Sequence, residues 1–229
     1  ASNNTAVGRD AMIANTTGAA NTAVGATALD AATTANYNVG IGYAALGATT
    51  TGADNTAVGS GAMETNTTAS NNTAVGRAAL QVNTTGASNV AVGTYALDAN
   101  TTADNNTAVG NNALGANTTG HSNTGVGQGA GAALTTGEQN TAIGRSALAT
   151  ATTAANNVAV GYLALTANTS GTQNVAVGVA TLDANTTASN NTGVGYAALG
   201  ANTTGAENVA VGTNALDAQT TGGSYNTAV

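Results

Sequence analysis

The chain has 229 residues, 42% hydrophobic and 6% charged, with no Phe, Trp, Pro or Cys and a formal net charge of −7. Arg9, Arg77 and Arg145 are its only basic residues apart from one His, so no basic stripe exists to neutralise phosphates, and nucleic acid is excluded as an expected partner. The lack of Cys removes disulfides, thiolate zinc sites and thiol catalysis, and no run of about 18 apolar residues could insert in a membrane.

One unit recurs along the whole chain. Asn4, Asn21, Asn38, Asn55, Asn72, Asn89, Asn106, Asn123, Asn140, Asn157, Asn174, Asn191 and Asn208 are each 17 residues apart, and only the last interval, to Asn226, is 18. A fixed short period without insertions predicts a solenoid in which each turn stacks on the last. The expected fold is an all-β, parallel β-solenoid of about 13 turns, with residues 1–229 forming a single repeat domain. The chain begins and ends in mid-repeat, which reads as a segment cut from a longer fibre.

With Asn as position one, position two is Thr or Val, position three Ala or Gly, position four Val or Ile, and position five Gly. This period of two predicts a short strand, and the β-branched pair at positions two and four is expected to face the core. On that reading Val109→Asp buries a charge and destabilises the solenoid badly. The small residues at positions three and five then form an outer face that another subunit's backbone can approach closely.

Position eight is Ala, except for Thr181, and position nine is Leu or Met, from Met12 and Leu29 to Leu216, which is expected to supply the rest of the core. In one turn position nine is Gly131 and a Leu appears three residues later, as Leu134, so core volume is conserved by a neighbouring site. Positions thirteen and fourteen are Thr-Thr, with Ser170 the one change; one Thr of each pair is expected to point out and the other inward or into a corner. The Asn column is expected to form an amide ladder along the stack.

The segments Asn55-Thr56-Ala57-Val58-Gly59 and Asn140-Thr141-Ala142-Ile143-Gly144 resemble the head repeats of trimeric autotransporter adhesins, where an Asn-Ser-Val-Ala-Ile-Gly motif recurs in a β-roll. They are still more similar to the N-T-A-V-G-x-x-A-L-x-x-N-T-T-G arrays of phage tail fibres and bacterial trimeric fibres. The resemblance covers essentially the whole chain. The adhesin motif is one residue longer and its repeat shorter, and no heptad stalk, membrane anchor or chaperone domain is present here. The resemblance implies a homotrimer, extracellular, on a bacterial surface or a virion, that extends a binding tip and contacts surface glycans or a receptor.

No catalytic constellation stands out, so no enzyme, cofactor or metal site is expected. His121 lies in a polar connecting slot with no fixed acidic partner expected, and the position-ten acids Asp30, Asp98, Asp183 and Asp217 occur singly. Tyr43, Tyr95, Tyr162 and Tyr196 are candidate contacts for sugar rings. The alternative function is ice binding through a Thr rank, Thr17, Thr68, Thr85, Thr102, Thr119, Thr187 and Thr204, flanked by Asn at position twelve on the same face. That flank is interrupted by Ala32, Thr49, Leu134 and Ala151. The many Asn-Thr-Thr triplets match a glycosylation sequon but follow automatically from a repeat of this composition.

Overall fold

The structure is a computed structural model that describes residues 2–218 and 222–229. It is an all-β parallel solenoid of about 13 turns, about 17 residues each, and its contacts divide it into two units, Ala1–Thr119 and Gly120–Val229. The first unit holds seven three-residue strands from β1 (Thr5–Val7) to β7 (Thr107–Val109). The second holds β8 (Thr124–Val126) to β14 (Thr227–Ala228). Within each unit every strand pairs in parallel with the next, in register: Thr56 lies against Thr73, Ala57 against Ala74 and Val58 against Val75. The register holds because the period of the chain equals the length of one turn.

The corner after each strand explains the invariant glycine at position five. Gly8 and its equivalents have φ near +134°, a region closed to side chains. A Cβ on Gly8 would lie 2.4 Å from the carbonyl oxygen of Gly25, one turn on. Small residues do allow close approach here, but the approaching backbone is the chain's own next turn. Two successive tight turns follow, with positive φ at positions seven and nine, as at Thr27 (54°) and Leu29 (52°). Left-handed backbone costs an L-residue roughly 1–2 kcal/mol. At position nine this turns the Leu inward, where it is fully buried and regains about 1.5–3 kcal/mol. Gly131 adopts the same left-handed conformation, at φ 59°, and the missing side chain is replaced from position twelve by the fully buried Leu134.

The strand orientation is the reverse of the one expected from its pattern. Ala108 is fully buried, whereas Val109 is 37% exposed, and the Thr and Val at position two are likewise half-buried or exposed. The interior behind the strand is already occupied. At Gly40 an added Cβ would meet Leu29 Cγ at 3.4 Å, so only Ala or Gly fits between the strand and the Leu of the preceding turn. The β-branched pair therefore faces outward, where it packs against its own kind on neighbouring strands. Sequence carried the signal: position three never exceeds Ala in size, while position two exchanges Thr for Val, which a dry interior would not tolerate.

Two Asn ladders run through the interior. Asn55 receives both contacts expected of a ladder: its backbone N–H and its Nδ2 each donate to Asn38 Oδ1 at 3.0 Å. Its Nδ2 also donates to the Ala69 carbonyl at 2.9 Å, tying position one to position fifteen across the turn. At position twelve Asn83 Nδ2 donates to Asn66 Oδ1 (3.1 Å) and to the Gly86 carbonyl (2.9 Å). The Thr pair behaves as expected. Thr84 Oγ1 donates to the Thr101 carbonyl at 3.0 Å along the stack, while Thr85 points into solvent.

Ala108→Asp should abolish cooperative melting or lower Tm by more than 10 °C, because it buries a charge behind β7. Val109→Asp should change the melting of the isolated chain by about 1 kcal/mol or less, since the side chain is solvated. Thermal circular dichroism of the two variants checks the orientation. The second ladder also has a gap: Asn15 Oδ1 is buried without a hydrogen-bond partner, and the position below it is Ala32. Ala32→Asn should supply the missing donor and raise stability by about 1 kcal/mol, measured by urea titration.

Candidate functional site

The surface is built from columns, each a single repeat position, so a site here is a strip of equivalent residues. The outer strand face is the most uniform strip. From β1 to β7 every residue at positions two and four is Thr, Val or Ile, from Thr5 and Val7 to Thr107 and Val109. The same holds from Thr124 and Val126 to Val209 and Val211 in the second unit. No charge interrupts either strip, and each rank repeats at the interstrand spacing of about 4.8 Å.

The Thr candidates of position fourteen, Thr17, Thr68, Thr85, Thr102, Thr119, Thr187 and Thr204, are all exposed. Asn at position twelve does not share their face. Asn66, Asn83, Asn100, Asn117, Asn185 and Asn202 are fully buried in the second ladder, so an Asn-x-Thr surface does not form and the Thr stand as a single rank. The side chain at position twelve turns inward because its amide closes the corner onto the carbonyl three residues on, as Asn100 does to Ala103 at 3.1 Å.

The four Tyr fall into two kinds. The Arg77 guanidinium lies 5.2 Å from the centre of the Tyr95 ring, and that of Arg145 lies 5.8 Å from the Tyr162 ring, each one turn away. These rings have one face engaged by a cation–π contact. Tyr43 and Tyr196 are 61% and 57% exposed and sit at position six, between turns that carry Ala26 and Ser60 or Val179 and Thr213 there. His121 does find an acidic partner: its Nε2 meets Glu138 Oε2 in the next turn, which occupies the same position sixteen. Both side chains are about half exposed, so the pair bridges two turns at the surface.

Three of the position-ten acids, Asp30, Asp98 and Asp183, lie against a glycine of the next turn. A Cβ on Gly115 would stand 3.3 Å from Asp98 Oδ1, and one on Gly200 would stand 3.5 Å from Asp183 Oδ1. Burial raises both carboxyls above the usual value of 3.8, against a smaller opposing effect of the N–H groups of each Asp and the Ala that follows. A raised folded-state pKa means that ionisation works against folding. The penalty is absent below pH 3.8 and grows as pH rises through the folded-state value. Asp98→Asn should therefore melt higher than the parent at pH 7, and the gap should close below about pH 4; a gap independent of pH would contradict this.

Among the described residues no helix is long and apolar enough to cross a membrane, and no group of three or more His, Cys, Asp or Glu could hold a metal ion. No protein-family model, curated protein or solved structure matches the chain.

Proposed function

We propose that the chain is a structural and adhesive segment of an extracellular trimeric fibre, of the bacterial adhesin or phage tail-fibre kind, that extends a binding tip and contacts surface glycans. The observation that carries this is the uncharged, solvent-facing strip of Thr, Val and Ile on the strand face. Contiguous apolar strips of this extent mark association surfaces on soluble proteins. The occupant is best matched by further copies of the same chain. Ranks spaced by one solenoid rise interdigitate only with a surface of equal rise, and an identical chain supplies it without needing complementary charge. The count of three rests on the resemblance to trimeric fibre repeats.

Light scattering on a sizing column should give three times the chain mass of 21.6 kDa. The double variant Val75→Asp with Val109→Asp, which loads the strip with charge, should run as a folded monomer with an unchanged β spectrum. A wild-type monomer would overturn the fibre reading. The exposed Thr rank at position fourteen favours ice binding as the second reading, and a monomer that shapes ice crystals and shows thermal hysteresis would establish it.

A further inference from the structure

Position ten carries a repeated device in the turns of Tyr43 and Tyr196, the two candidate Tyr with no Arg over the ring. In the first unit Asp30, Gly47 and Glu64 succeed one another in that column, one per turn. Gly47 leaves a notch of about 470 Å³ that opens beside Tyr43, with Asp30 on one side, Glu64 on the other and a floor of Ala31, Ala44 and Ala48. In the second unit the same column reads Asp183, Gly200, Asp217, and the turn between the acids is again Gly-Tyr-Ala-Ala-Leu-Gly-Ala, residues 195–201 matching residues 42–48. The glycines are placed alike. A Cβ on Gly47 would lie 3.4 Å from Asp30 Oδ1 and 3.3 Å from the Ala44 carbonyl; at Gly200 the distances are 3.5 Å to Asp183 Oδ1 and 3.1 Å to the Ala197 carbonyl. Neither glycine has a positive φ, so the backbone does not demand a glycine there. The column admits larger residues elsewhere, as Gln81 and Thr166.

We infer that the two notches are binding sites for one neutral pyranose unit of a surface glycan, a proposal that rests on the adhesive reading above. An exposed phenol ring offers an apolar face to the C–H face of a sugar, and carboxylates on either side accept hydrogen bonds from its hydroxyls. The acids flank the notch two turns apart, about 10 Å, which is too far for both to coordinate one metal ion. Glu64 is held in place by Gln81 Nε2, which donates to its Oε2 at 2.9 Å. Two carboxylates, on a chain of net charge −7, repel sialylated, sulfated or uronic sugars, so the ligand is uncharged. Tyr95 and Tyr162 lack this arrangement, since each already stacks with an Arg and position ten of their turns holds Asp98 and Thr166 in place of glycine.

Saturation-transfer NMR on the full chain tests this with cellotriose, maltotriose and mannotriose as neutral probes, and with sialyllactose and spermidine as anionic and cationic controls. At least one neutral trisaccharide should show transfer, and both controls should show none. Gly47→Gln with Gly200→Gln fills both notches with a residue the column already carries at Gln81, so the fold is retained, and transfer should fall at least fivefold. Tyr43→Ala with Tyr196→Ala should have the same effect, while Tyr95→Ala with Tyr162→Ala should leave transfer unchanged. No transfer from any neutral probe, equal transfer in the filled variant, or binding of spermidine or sialyllactose alone would overturn the assignment. The mass of each sample, measured in parallel, reports on the trimer separately.

Discussion

The amide ladder at position one is the contact on which the rest of the solenoid depends. Asn38 Oδ1 accepts from both the backbone N–H and the Nδ2 of Asn55 one turn on, and Asn72 Oδ1 accepts from the backbone N–H of Asn89. Asn55 and Asn89 each donate across their own turn to the carbonyl at position fifteen. A buried amide left without partners costs more than a made one contributes. The ladder therefore sets the register: even across the one 18-residue interval, Asn226 donates to Asn208 Oδ1 from its backbone N–H at 3.0 Å and from its Nδ2 at 2.9 Å. Seventeen residues per turn is the spacing at which Asn meets Asn, and strand register, Thr stacking and Leu stacking all follow from it.

The interior these ladders enclose is narrow. Two closely spaced corners, each with left-handed residues, fold the chain back so tightly that the strand can send only Ala or Gly inward against the Leu of the opposite wall. That restriction drives the Val and Thr of the strand to the outside. A single geometric fact thus explains both the small interior and the apolar exterior. It also ties stability to the proposed association, because the atoms excluded from the core form the surface that further copies would cover.

Columns also make variation informative. The interior columns repeat with few exceptions, whereas the surface positions six, seven, ten and sixteen change from turn to turn, and it is in these columns that Arg–Tyr stacks, the His121–Glu138 pair and the glycine notches appear. A change at such a position leaves the hydrogen-bonded frame intact, so recognition features can be placed on the stack without altering it.

Sequence by itself determined the solenoid, its period, the strand at positions two to four, the inward Leu and the Asn ladder, because each is a property of one residue repeated against its own copy, and periodicity alone puts copies in contact. The compensation of Gly131 by Leu134 was legible for the same reason. The direction of the strand faces was decided only by the tertiary structure. Alternation says that Ala108 and Val109 point opposite ways, but which is inside depends on the space left by Leu and Asn from the opposite wall. Hydrophobicity favoured Val; the available volume selected Ala. The fate of Asn at position twelve, buried in a ladder instead of flanking the Thr rank, and the grouping of Asp30, Gly47, Glu64 and Tyr43 into one notch were likewise settled by the corners, whose left-handed residues no propensity of Leu, Ala or Thr announces.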